Sequence, residues 1–204
     1  MNPARCPWAS TPAEIAYHDQ EWGRPLHDDR ALFELLVLEG MQAGVSWRVI
    51  LNKREAFRRA FDRFQPEIVA SYGPEKLEEL MENPGILRNR SKLRCAVSNA
   101  RAFLKVREEF GSFDAYLWGW VDGTPIVNHP RSMEDLPAQT PLSQALSADL
   151  KRRGFRYVGP VIVYAYMQSA GLVNDHMVWC PWHDGPPFPS AAEGAPAELS
   201  RRPV

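Results

Sequence analysis

The segment PVIVYAYMQSAGLV, residues 160–173, is apolar nearly all the way round. A helix written this way has no face to give to water, so it predicts a central element that the rest of the chain must enclose. The remaining periodic segments read as helices suited to that task. In DDRALFELLVLEGMQAG (28–44), Asp28 and Asp29 are N-cap candidates, and Leu32, Leu35, Leu36 and Met41 follow at helical spacing. SWRVILNKREAFRRAFDRF (46–64) opens on Ser46 and carries Val49, Ile50, Phe57 and Phe61 along one face. EIVASYG and EKLEELMEN read as two short helices split by Gly73-Pro74. SKLRCAVSNARAFLKVREEF (91–110) sets Leu93, Val97, Ala100, Phe103 or Leu104, and Phe110 on one side, and SFDAYLWGWV is a further short helix. TPLSQALSADLKRRG (140–154) has Thr140 as cap, Pro141 at the first helical position and Gly154 as stop. Runs of β-branched residues are short. The expectation is an all-α protein.

Residues 1–185 are expected to fold as one unit of two helical lobes. Residues 186–204, rich in Pro, Ala, Gly and Ser, read as a flexible tail. Charged residues make up 24% of the chain and hydrophobic ones 45%, an ordinary balance for a soluble globular protein. The N-terminus carries no apolar run of signal-peptide length, and no stretch reaches the roughly 18 apolar residues of a transmembrane helix. Three cysteines are too few and too scattered for a disulfide framework, so a reduced, cytoplasmic setting is expected.

The net charge of −1 means that any nucleic-acid contact must come from a local patch. One exists. Residues 83–107 hold seven Lys or Arg and no acid. Within them NPGILRNRSK is a turn, with Pro84 and Gly85, followed by a helix start. Backbone N–H groups at such a start, flanked by cations, suit a phosphate. The stretch is compatible with a helix-hairpin-helix element, although its hairpin is not the usual glycine-rich one. KRRGFR (151–156) is a second basic cluster. The plainer reading of both is a solvated helix face with cations near its C-terminus.

His176 and Cys180 sit four apart in VNDHMVWC (173–180). A structural metal site wants four such ligands. Cys95 lies inside an amphipathic helix and reads as a small core residue. Cys6 remains, with His18 twelve residues on. Cys6, His18, His176 and Cys180 are therefore a candidate set that would staple the N-terminal segment to the last helix. His183 competes as a ligand, and spacing alone leaves His18 open as a surface histidine.

YHDQEWG (17–23) and EGMQAGVSW (39–47) carry the most chemistry. Glu39 ends an apolar run, where a buried carboxylate needs a partner or a ligand. Gly40 and Gly44 let backbone approach closely. Tyr17 and Trp47 can stack on a flat ligand, and aromatic walls beside one polar group suit an enzyme that flips a base out of DNA. Core packing for the aromatics, and a solvent-facing helix end for Glu39, are the simpler alternatives.

Taken together, RCPW (5–8), IAYHDQEWG (15–23), LFELLVLEGMQAGVSW (32–47), PGILRNRSKLRCAVSNARAFL (84–104) and GFRYVGPVIVYAYMQSAGLVNDH (154–176) with Cys180 resemble the DNA-3-methyladenine glycosylase I family, a branch of the helix-hairpin-helix glycosylases. The resemblance spans about residues 4–183. It implies a helix-hairpin-helix glycosylase-like fold whose two ends are joined by one structural Zn2+ on Cys6, His18, His176 and Cys180. It implies a pocket for a methylated adenine, with Glu39 reading the base edge, Tyr17 and Trp47 stacking on it, and Trp8 and Trp22 supporting the wall. The loop from Gln42 to Ser46 would face the gap left by the flipped nucleotide, with Val45 as wedge. Gly85, Arg88, Arg90 and Lys92 would lie along the DNA backbone. Pro7, Val45 and Val161 depart from the family pattern, where glycine, leucine and threonine are expected.

The function so implied is hydrolytic excision of 3-methyladenine from double-stranded alkylated DNA, by a monomer that releases the free base. With no lysine in the pocket motifs, no strand cleavage is expected. The rival reading is a non-catalytic, zinc-stapled helical DNA-binding module, which gives Glu39, Tyr17 and Trp47 no task beyond packing.

Overall fold

The computed structural model describes residues 4–184, so the tail expected over 186–204 lies outside the described residues. The protein is mostly helical. The most enclosed helix is α2 (Asp29–Gln42), which buries every residue from Leu32 to Met41. Asp28 caps it, its carboxylate accepting from the Ala31 N–H at 2.8 Å. Around α2 pack α3 (Trp47–Ala60), α6 (Arg90–Phe110), α7 (Phe113–Trp118) and α9 (Pro160–Ser169). Outside these, α4 (Pro66–Ala70) and α5 (Pro74–Glu82) lie along α6, and α8 (Pro141–Arg152) lies along α9. Aromatic rings fill the gaps in the core; Phe103 and Phe113 stack with centroids 4.2 Å apart.

A second, smaller apolar cluster joins the two ends of the chain: Cys6, Tyr17, Trp22, Met177 and Cys180. Tyr17 comes from α1 (Pro12–Gln20), a helix the apolar periodicity does not reveal because most of its face is polar. The capping box does reveal it. Thr11 accepts from the Glu14 N–H, Glu14 accepts from the Thr11 N–H at 3.0 Å, and Pro12 takes the first turn.

Two expected boundaries differ. The helix begun at Ser46 stops at Ala60, because Asp62, Arg63 and Phe64 turn left-handed (φ 48°, 54° and 55°) and drive the Phe64 ring into the core. The apolar segment 160–173 is helical only to Ser169. Gly171 then takes φ +74° with its Cα against the Arg24 backbone, where a side chain has no room. Val173–Asn174 beyond it pair in parallel with Ile126–Val127, two-residue strands that no sequence pattern announced. Phe110 is 41% exposed rather than in the core, its ring covered by the Arg153 guanidinium at 4.9 Å. No helix among the described residues is long and apolar enough to cross a membrane.

Candidate active site and metal centre

Helix α2 buries two glutamates five residues apart, and the structure treats them differently. Glu34 receives Arg54 Nε at 2.6 Å and Arg58 Nε at 3.0 Å. It is a paired charge inside a network. Glu39 has no such cation. Its Oε1 accepts a hydrogen bond from Ser169 Oγ at 2.6 Å, and its Oε2, fully buried, has no partner. Burial pushes the Glu39 carboxyl up to about 8, against the opposing pull of the Ser169 hydroxyl. A buried acceptor left open in this way costs stability unless a ligand supplies the donor.

Glu39 lines a cleft of about 400 Å³. Tyr17, Trp8 and Trp22 from the N-terminal segment, Trp47 from the first turn of α3, and Ala165, Gln168 and Ser169 from α9 line it. Trp8 meets Trp22 edge-on at 4.9 Å, and Tyr17 lies 5.4 Å from Trp47. Tyr17 OH donates to Ser169 Oγ at 2.8 Å, so the serine's own proton is committed to Glu39. Burial, with the nearby Glu39 charge, holds the Tyr17 hydroxyl well above its ordinary range, so it remains a donor. Trp47 Nε1 is a second buried polar atom without a partner. The cleft is thus lined by two side chains with an unpartnered polar atom, the Glu39 carboxyl and the Trp47 indole N–H, among aromatic walls, a receptor for a flat, hydrogen-bonding group.

Sequence spacing alone did not single out Ser169, Gln168, Ala165, the outer-wall pair Met133 and Leu136, or the rim pair Glu14 and Arg48. The signal for α9 was present. Gln168 and Ser169 are the polar residues of an otherwise apolar helix, and Ala165 precedes them on the same face. At the rim, Arg48 Nε donates to Glu14 Oε1 at 3.0 Å. With the Thr11 and Ser10 donors, Arg48 holds the partly desolvated Glu14 carboxyl down to about 2.

Beside the cleft, Cys6, His18, His176 and Cys180 are all buried, with their ligand atoms within 4.8 Å of one another. Cys180 Sγ lies 3.6 Å from both His18 Nε2 and His176 Nδ1, and Cys6 Sγ lies 3.6 Å from His176 Nδ1. The far ring nitrogens are occupied: His18 Nδ1 meets Asp19 Oδ1 at 2.8 Å, and His176 Nε2 meets the Trp22 carbonyl at 3.1 Å. The near nitrogens are therefore free to ligate, and the cluster can hold a metal ion. His183, the competing ligand, points elsewhere, its Nε2 donating to the Asn128 carbonyl at 2.8 Å.

A family model for methyladenine glycosylases matches residues 8–183. The chain belongs to the methyladenine glycosylase family. Among methyladenine glycosylases, DNA-3-methyladenine glycosylase 1 of Escherichia coli (strain K12) is 44% identical over 182 residues, which cover 89% of this chain and 97% of that one. DNA-3-methyladenine glycosylase of Haemophilus influenzae is 43% identical over 178 residues, covering 87% and 96%. A crystal structure of 3-methyladenine DNA glycosylase I superposes with a TM-score of 0.85 at 47% identity, covering 88% of this chain and 100% of that one. A variant of such an enzyme, solved in complex with 3-methyladenine, superposes with a TM-score of 0.86 at 38% identity, covering 91% and 99%.

Within this methyladenine glycosylase, the residues expected along DNA fall into two groups. Gly85 sits in a tight turn, its N–H on Asn83 Oδ1 at 2.8 Å, while Lys53 Nζ ties down the Pro84 and Gly85 carbonyls at 3.1 Å each. Arg88 is exposed, and Arg90 is exposed but paired with Glu78. Val45 stands 38% exposed in the loop after α2, between Gly44 and Ser46. Lys92 turns inward instead, its Nζ donating to the Met41 carbonyl at 2.8 Å and the Ala43 carbonyl at 2.5 Å.

Proposed function

We propose that this protein is a DNA-3-methyladenine glycosylase of base excision repair, which flips the alkylated nucleotide out of DNA and hydrolyses its N-glycosidic bond. One observation carries the reading: a buried carboxylate without a counter-charge, open on one oxygen, at the floor of an aromatic cleft. The non-catalytic module leaves that oxygen and Trp47 Nε1 without purpose.

The substrate base is a cation, and its leaving ability needs little acid catalysis. Entering the cleft against Tyr17 and Trp47, it brings the positive charge that the pocket lacks. Glu39 then ionises, accepts from the base edge through Oε2, and releases its proton to water. Trp47 Nε1 donates to an acceptor on the ring. As the C1′–N bond breaks, the bonding pair goes to the base, which leaves neutral, and water adds to C1′ and loses a proton. The negative charge of Glu39 favours the cationic base and the oxocarbenium-like transition state over neutral adenine. Among the described residues no lysine lines the cleft, so no Schiff base forms and the enzyme is monofunctional.

The buried cluster holds one structural Zn2+. Around a tetrahedral zinc, sulfur and nitrogen ligands stand about 3.5–3.6 Å apart, given Zn–S and Zn–N lengths of about 2.3 and 2.05 Å. The three S···N separations of 3.6 Å fit that polyhedron. The ion supplies no chemistry to the base; it fixes Cys6 and α1 to the 173–180 segment, and with them the Tyr17, Trp8 and Trp22 wall.

Residues 84–92 serve as a helix-hairpin-helix phosphate grip on double-stranded DNA, with backbone N–H groups at the start of α6 and exposed Arg88 doing the work. Val45 is the wedge that fills the vacated stack. Residues 1–185 act as one monomeric unit in the cytoplasm. The decisive test is base release from methylated duplex DNA, wild type beside Glu39→Gln. Release of 3-methyladenine by the wild type and its loss in the variant are expected; equal release by both removes Glu39 from the mechanism.

A further inference from the structure

The inward turn of Lys92 gives it a different task from its neighbours. Helix α2 ends without a basic residue in its last turn, and the Gln42 carbonyl is taken by the Val45 N–H at 2.7 Å. The Met41 and Ala43 carbonyls are met only from outside the helix, by the Lys92 ammonium at 2.8 and 2.5 Å. A cation at a helix C-terminus is normally local; here it reaches across from the first turn of α6. Lys92 is 8% exposed, with its Nζ 5.8 Å over the Tyr157 ring. Tyr157 holds φ +55°, a left-handed conformation rare for a bulky side chain, and its hydroxyl donates to Ser91 Oγ at 3.1 Å. The surrounding structure over-determines that strain, as at positions held for a purpose. Its neighbour Arg156 is fixed to α6 twice, N–H to Asn99 Oδ1 at 2.8 Å and carbonyl from Asn99 Nδ2 at 2.9 Å.

Resting on the glycosylase reading, we propose that Lys92 is a positioning residue for opening the duplex. Its ammonium, seated on Tyr157, locks the 43–46 loop that enters the stack onto the helix start that grips phosphate. Flipping a nucleotide needs the wedge pushed in while the backbone is held. A loop hinged loosely at Ala43 recoils, whereas one bonded to α6 transmits the grip. The hydrogen bonds of Lys92 go to Met41 and Ala43 rather than to Glu39, Tyr17 or Ser169, and of the 43–46 loop only Ser46 lines the cleft, so free base should barely sense the lock.

The test uses the full chain as wild type, Lys92→Met and Lys92→Arg, with three readouts. Tryptophan quenching measures affinity for free 3-methyladenine. Fluorescence of 2-aminopurine beside a tetrahydrofuran abasic site measures duplex opening. Single-turnover release measures excision. Lys92→Met should bind free base within about twofold of wild type while opening and excision both fall about tenfold or more, the scale of losing bonds to a charged donor. Lys92→Arg, which restores charge and donors, should recover most of both. Opening by Lys92→Met equal to wild type overturns the proposal, and so does a parallel loss of free-base binding, which marks a merely structural role. Wild type that opens the duplex but releases no base overturns the glycosylase reading while leaving the lock standing.

Discussion

Ser169 Oγ lies 2.6 Å from Glu39 Oε1 and holds that oxygen, leaving Oε2 as the one without a partner. The serine opposes burial and lowers the pKa of Glu39. Ser169→Ala should therefore raise it further. Ionised Glu39 is the form that binds the cationic base, so wild-type excision at limiting substrate should rise with pH toward about 8. In Ser169→Ala the rising limb should move to higher pH. A pH–rate profile checks this; coincident profiles would leave Ser169 as packing.

Glu39→Gln should abolish most excision and at the same time stabilise the protein. Between 4.5 and about 8 the folded state keeps a proton that the unfolded chain has lost, so this group's contribution falls as pH rises across that window. The amide cannot ionise and escapes the loss, a gain on the order of a few kcal/mol near pH 8. Urea unfolding at pH 5 and pH 8 tests the sign: the variant's advantage should grow with pH.

Much of this site is legible in the sequence because single residues sit where the local pattern makes them costly. Glu39 closes an apolar run, and Cys6, His18, His176 and Cys180 stand out by spacing, although spacing leaves His183 as a competitor and His18 open as a surface histidine. What the sequence hides depends on folding partners. Glu34 and Glu39 look alike on α2, and only the approach of Arg54 and Arg58 separates a structural carboxylate from a receptive one. Lys92 looks like a phosphate contact among its basic neighbours until the end of α2 is placed beside it. The helix α1 escapes apolar periodicity because its buried residues are Glu14, Tyr17 and His18, yet its Thr11–Glu14 cap is plainly written. The stop of α9 at Ser169 is set by the close approach of Gly171 to Arg24, a contact no local rule contains.

Arg88 should act through charge alone. It is exposed at the turn before α6, so Arg88→Ala should weaken duplex binding similarly for all sequences and reduce the salt slope of log K by about 1. Excision at saturating DNA should hardly change. Arg90, already paired with Glu78, should give a smaller effect. Filter-binding or anisotropy titrations across salt concentrations distinguish the two.

The metal cluster predicts stability more than chemistry. Purified protein should carry one zinc per chain, and Cys180→Ser or His18→Ala should lose it. The three remaining buried ligands would then face one another without a cation. The thiol proton of Cys6, with the nearby His176 and His18, pulls Cys180 toward thiolate, and that thiolate in turn holds Cys6 up. Only a divalent ion lets both ionise. Losing it should cost on the order of 3–5 kcal/mol, or about 10 °C in Tm for a chain of this size. His183→Ala is the control, since its ring serves Asn128 and not the cluster. It should keep the zinc and most of the Tm. Thermal unfolding with metal analysis, with and without a chelator, reads all three variants, and a cluster variant that melts with the wild type while metal-free would show that the ends are held by packing alone.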